Sequence, residues 1–132
     1  MGSQDPASRT ICYSELWTAD VEQSKQFYCG LFGWSAVASS IGEDGSYHIF
    51  KDGERDVAGL LKMPAEGGVT AAPPHWLSYV LVDDVDAMAE RVTALGGTVR
   101  VPPADIPGIG RFGVFTDPGG VPIGVFQNPP EA

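Results

Sequence analysis

Apolar and polar positions alternate along this chain in an order that occurs twice. A strand-like run from Ile11 to Trp17 leads to Asp20, a good helix N-cap. Val21, Ser24, Phe27, Tyr28 and Leu31 then recur at helical spacing until Gly33, a C-terminal stop. Gln23 has the spacing to complete a capping box with Asp20. Short strands are predicted at Ser35–Ile41, Ser46–Lys51 and Asp56–Met63, separated by the turns Glu43-Asp44-Gly45 and Asp52-Gly53. The Gly/Ala/Pro-rich stretch Pro64 to Pro74 reads as an exposed linker. The order then restarts with a strand over His75–Val82 and a helix capped by Asp83 or Asp84. Val85, Met88, Val92 and Leu95 form that helix's inner stripe, and Gly96-Gly97 ends it. A strand at Thr98–Val101 is followed by a three-proline loop, Pro102–Gly110. Arg111–Thr116 and Val121–Gln127 then form a hairpin around Asp117-Pro118-Gly119-Gly120.

The two passes match residue by residue. Asp20-Val21-Glu22, Leu31 and Gly33 recur sixty-four positions later as Asp84-Val85-Asp86, Leu95 and Gly97. With a one-residue slip, Gly59-Leu60-Leu61 recurs as Gly124-Val125-Phe126. A period this long means two supersecondary modules, since solenoids use more and shorter repeats. The expectation is an α+β domain over residues 11–128, built from tandem βαβββ modules at 11–64 and 74–128.

Composition narrows the function classes. The chain has 132 residues, 43% apolar and 19% charged, as expected of a globular protein. No apolar run approaches the roughly 20 residues of a membrane span, so no membrane partner is expected. Seventeen acids against eight bases give a net charge of −9, which argues against a nucleic-acid partner. The acidity is either a solubility surface or an attraction for a cationic ligand. Residues 1–10, opening Met1-Gly2-Ser3-Gln4-Asp5-Pro6, read as a vector remnant or disordered N-terminus and are left out of the fold. Cys12 and Cys29 form no Cys-x-x-Cys motif, so a reduced, cytoplasmic protein is the default.

The ordered set Asp20…Phe27-Tyr28…Leu31-Phe32-Gly33-Trp34, Val82-Asp83-Asp84-Val85-Asp86 with Gly96-Gly97, and Asp117-Pro118-Gly119-Gly120 resembles the vicinal oxygen chelate superfamily. That superfamily includes glyoxalase I, bleomycin-resistance proteins and extradiol dioxygenases. With Trp76-Leu77-Ser78-Tyr79, the chain is especially similar to the actinobacterial glyoxalase-like branch, which often joins two such domains; this would be a single-domain version. The resemblance implies a curved, partly open barrel-like sheet around a cavity, and a homodimer. It also implies four metal-ligand positions, which map here onto Tyr13, Gly59, Leu77 and Gly124. Glycine and leucine side chains offer a divalent ion no donor, so no metal or other cofactor is expected. His75, two residues before Leu77, reads as a rim residue, and His48 lies in a central strand.

Strand alternation puts Tyr13, Glu15 and Trp17 on one face, with Leu77, Tyr79 and Leu81 as the matching set and Phe126 opposite. On the mapping above that face lines the cavity, as either an open aromatic cup or a filled barrel. Gly59 and Gly124 favour the open form. Glu15 among aromatic rings is costly unless paired, hydrogen-bonded or protonated. It reads as a catalytic base, as an anchor for a cationic ligand, or as the internal partner of Arg111. Arg111 can alternatively hold an anionic ligand, under a lid formed by Pro102–Gly110. The expected ligand-binding set is Tyr13, Glu15, Trp17, Leu77, Tyr79, Arg111 and Phe126. Two functions follow. One is a metal-independent protein of the glyoxalase/bleomycin-resistance type that binds an aromatic or hydrophobic metabolite. The other is an enzyme of the same superfamily, a lyase, isomerase or dioxygenase.

Overall fold

The computed structural model describes residues 9–39, 47–63 and 73–129. Residues 64–72 of the Pro64–Pro74 linker, the Glu43-Asp44-Gly45 turn and most of the N-terminal ten residues lie outside these. Among the described residues are two helices and eight strands. They are β1 (Ile11–Thr18), α1 (Val21–Phe32), β2 (Ser35–Ala38), β3 (Tyr47–Asp52) and β4 (Arg55–Lys62), then β5 (His75–Leu81), α2 (Val85–Ala94), β6 (Thr98–Ile106), β7 (Gly110–Thr116) and β8 (Pro122–Gln127). The order is βαβββ, twice. The chain divides into two compact units, one of Ser14–Leu77 and one of Met1–Tyr13 with Ser78–Ala132.

In the Ser14–Leu77 unit the strands run β2-β3-β4-β1. The β1–β4 pair is parallel, with Glu15 opposite Gly59, and the other two pairs are antiparallel. Asp20 caps α1 by accepting the Gln23 amide at 3.0 Å, and Gly33, at φ 76°, donates its N–H to the Cys29 carbonyl. The reciprocal half of the capping box falls to Thr18, whose Oγ1 accepts the Asp20 amide. Alternate side chains, Leu16, Phe50, Ala58 and Leu60, bury a core under Val21, Tyr28 and Cys29 of α1. The helix packs less completely than its periodicity predicts. Phe27 and Leu31, expected on the inner stripe, are each 58% exposed, and α1 contains no fully buried residue.

The second unit repeats this arrangement as β5-β8-β7-β6. Its parallel pair, β5–β8, sets Tyr79 opposite Gly124, the positions that match Glu15 and Gly59 in the sequence repeat. Asp84, not Asp83, caps α2 by accepting the Ala87 amide. Val82, Val85, Phe115 and Val125 form the core, joined by Met88 and Val92, whereas Leu95 has left the stripe as the exposed C-cap residue.

One element differs in kind from its prediction. The expected loop Pro102–Gly110 is mostly strand, because β6 continues to Ile106 and pairs Ala104 with Phe112 and Asp105 with Arg111. Proline has no N–H to donate, but β6 ends the strand order, where one side of the ladder needs none. Register shifts on both sides of Val101 absorb the Pro102-Pro103 pair. The segment is therefore pinned along β7 and is not a lid.

Candidate functional site

Strand parity separates two faces in each unit. In the Ser14–Leu77 unit, Leu16, His48, Phe50 and Leu60 face α1, and Glu15, Trp17, Tyr47 and Ile49 take the other face. Glu15 is 7% exposed and Trp17 8%. The Trp17 indole N–H donates to Glu15 Oε1 at 2.8 Å, and the Tyr47 hydroxyl donates to Glu15 Oε2 at 2.8 Å. Both donors are neutral, and each offsets part of the desolvation of the carboxylate. Trp17 in turn stacks on His75, with ring centroids 6.0 Å apart and an interplanar angle of 19°. The His75 Nδ1 lies 2.7 Å from the Pro73 carbonyl. His75 is thus a bracing ring beside Trp17. Leu77, 1% exposed, is fully packed.

Tyr47 is the residue that the sequence reading did not single out. His48 lies on the helix-facing side, and its buried Nδ1 has no hydrogen-bond partner among the described residues. It therefore does not join Glu15.

In the second unit, Tyr79 is 6% exposed and sits among Tyr13, at 6.2 Å between ring centroids, and Phe112, at 6.5 Å. Its ring also occupies the space beside Gly124. A Cβ built on Gly124 would lie 2.5 Å from Tyr79 Cδ2 and Cε2. The room that glycine leaves at a mapped ligand position is therefore filled by an aromatic ring, which corrects the expectation that Gly124 opens the cup. Phe126 plays the same part at Gly110, where a Cβ would meet its Cζ at 2.5 Å.

Arg111 corrects another expectation. Its Nε and Nη2 form a two-pronged pair with Asp86 at 2.8 and 2.9 Å, and Nη1 reaches Asp105 at 3.0 Å. The guanidinium is thus a strut from β7 to the start of α2. The Arg111 hydrogen bonds hold the Asp86 carboxyl below the usual carboxylate range, and Asp86 and Asp105 favour the protonated arginine. A depressed folded value contributes stability above the unfolded Asp value, near 3.9, and that contribution is lost as pH falls through the folded value. Asp86→Asn is therefore expected to be less stable than the parent at pH 5, and the gap to close as pH falls through the folded Asp86 value. Urea titrations at pH 5 and at successively lower pH measure this. The gap should be small and shrink with salt, because the pair is exposed.

Tyr13, Gly59, Leu77 and Gly124 supply at most one donor atom, and the space at Gly124 belongs to Tyr79. Among the described residues no group of three His, Cys, Asp or Glu side chains converges as a metal cage. Burial pushes the Cys12 thiol up, away from the reactive thiolate.

Comparison with known proteins places the chain. A family model, Glyoxalase/Bleomycin resistance protein/Dioxygenase superfamily, matches residues 10–125. CFP32 of Mycobacterium bovis, a candidate glyoxylase by its name, is 35% identical over 122 residues, which cover 92% of this chain and 45% of the relative. The anthracycline biosynthesis protein DnrV of Streptomyces peucetius is 33% identical over 123 residues, covering 86% of this chain and 45% of the relative. The chain thus spans less than half the length of these relatives. Among solved structures, methylmalonyl-CoA epimerase from Streptomyces coelicolor superposes with a TM-score of 0.60 at 15% identity, over 94% of this chain and all of the other. The Mn(II)-bound glyoxalase from Novosphingobium aromaticivorans gives 0.57 at 24% identity, over 95% of this chain and 42% of that one. These two likenesses are likenesses of fold. With the repeated βαβββ order and the match over nearly its whole length, the chain belongs to the glyoxalase/bleomycin resistance protein/dioxygenase superfamily.

Proposed function

We propose that this protein binds an aromatic or hydrophobic small molecule without a metal ion, with Glu15 as the polar anchor. The observation that carries the reading is the Glu15 carboxylate, held by the neutral donors Trp17 and Tyr47 on the sheet face opposite the α1-packed core. Apolar walls with a few placed polar groups are the usual form of small-molecule sites. Three of the four mapped metal positions, Gly59, Leu77 and Gly124, lack a donor side chain, which supports metal independence. Two Streptomyces relatives are named for anthracycline biosynthesis, and anthracyclines are planar aromatic molecules of the kind such rings accept. In the alternative, an enzyme of the same superfamily, Glu15 is a general base. The two free thiols fit a reducing cytoplasm, and a symmetric homodimer is the proposed assembly.

The test is calorimetric titration of an anthracycline into chelator-treated protein. Binding that is equal before and after the chelator is expected. Binding that appears only on adding zinc, manganese or nickel would overturn the metal-free reading.

A further inference from the structure

Helix α1 and the residues beside it carry an aromatic surface that its own unit leaves uncovered. Phe27, Leu31 and Phe32 are 58%, 58% and 55% exposed, and Trp76 is 40% exposed. They are contiguous. Tyr28 touches Phe27 at 4.9 Å, Phe32 at 6.3 Å and Trp76 at 5.4 Å between ring centroids, and the Trp76 indole donates to the Tyr28 hydroxyl.

The internal repeat supplies a control. Sixty-four residues on, Phe27 becomes Arg91, Phe32 becomes Gly96 and Trp34 becomes Thr98, with only Leu31 kept as Leu95. The βαβββ module therefore folds without this surface. Exposed aromatic patches of this kind mark interaction sites.

We infer that this face of α1 docks on the same face of a second copy of the chain. The inference rests on the homodimer reading above and names its surface. Charge is the first argument. Each copy carries −9, so two copies meet most easily where charge is absent, and Gln26–Trp34 contains no charged residue. The two charges earlier on the helix, Glu22 and Lys25, neutralise one another at 3.1 Å. Area is the second. Four large side chains at these exposures present roughly 400 Å², about half of the ~800 Å² that each partner buries in a standard interface. A two-fold axis then places α1 against α1, aromatic on aromatic, as an isologous contact requires.

The experiment is sedimentation velocity over a wide concentration range on the parent, on Phe27→Glu/Leu31→Glu, and on Arg91→Glu as the control from the equivalent face of α2. The parent is expected to be a dimer. The double variant should raise the dissociation constant roughly 30-fold or more, and Arg91→Glu should leave it unchanged. Both substituted residues are more than half exposed, so the circular dichroism should be retained; if it is not, Phe27→Gln is read instead. A parent that is monomeric at every concentration would overturn both the surface and the homodimer. A dimer that the α1 variants leave intact, or that Arg91→Glu weakens equally, would overturn the surface alone.

Discussion

Gly124→Ala is expected to cost about 1–3 kcal/mol of folding stability, the range for forcing extra bulk into a packed site. The added methyl would lie 2.5 Å from two carbons of the Tyr79 ring. Those carbons are in the body of the ring, and Tyr79 is 6% exposed, held among Tyr13 and Phe112. Gly124 needs no unusual backbone angle, since its φ is not among the positive ones, so the penalty is steric and specific to the ring. In a Tyr79→Ala background the same Gly124→Ala change should cost well under 1 kcal/mol. Urea unfolding of the four proteins in this cycle gives the coupling directly. Equal costs in both backgrounds would mean that the Tyr79 ring does not fill the Gly124 position.

Glu15 gives the second large effect, and two substitutions separate its roles. Indole nitrogen can only donate, whereas a phenol can turn and accept. In Glu15→Gln the amide oxygen therefore stays opposite Trp17, and the amide N–H is accepted by Tyr47 after its hydroxyl rotates. The fold should lose about 1 kcal/mol or less. Ligand binding, if the ligand carries a cation, should weaken by about 1.5–3 kcal/mol, the worth of a charge-assisted hydrogen bond. If Glu15 is a catalytic base, affinity should change little and turnover should fall roughly 100-fold or more. Glu15→Leu removes the acceptor of the buried Trp17 indole N–H, which costs about 1–3 kcal/mol. Melting, calorimetry and turnover on the two variants decide among these outcomes. If Glu15→Leu were as stable as the parent, the hydrogen bonds from Trp17 and Tyr47 would not matter to the fold.

Much of the fold was legible because the chain states it twice. The paired caps Asp20 and Asp84 start both helices, and the strand parity of Glu15 and Trp17 is a direct consequence of their spacing. Tyr47 escaped for a definite reason. Near the Asp52-Gly53 turn, Lys51 pairs with Asp56 and Asp52 with Arg55, but a bulge between Phe50 and Lys51 slips the rest of the ladder by one residue. Continued without the slip, that register sets Tyr47 opposite Leu60 of the core face; with it, Tyr47 pairs with Leu61 and reaches Glu15. Nothing in the residues at 50 and 51 announces the bulge. Asp105, one of the two partners of Arg111, was hidden because its place depends on β6 running on through Pro102 and Pro103, and paired prolines ordinarily argue for a loop. Phe27 and Leu31 have the spacing of a core stripe. Periodicity reports which residues want cover, not whether their own unit supplies it.

On the proposed reading, a superfamily fold binds a small molecule without the ion that its mapped ligand positions would hold. A native mass spectrum of protein purified without added metal, with elemental analysis of the same sample, tests this most directly. The prediction is a polypeptide mass with an organic adduct or none, and less than about one-tenth equivalent of zinc, iron, manganese or nickel. One full equivalent of any of these, lost together with ligand binding when Tyr13 is changed to Phe, would contradict it.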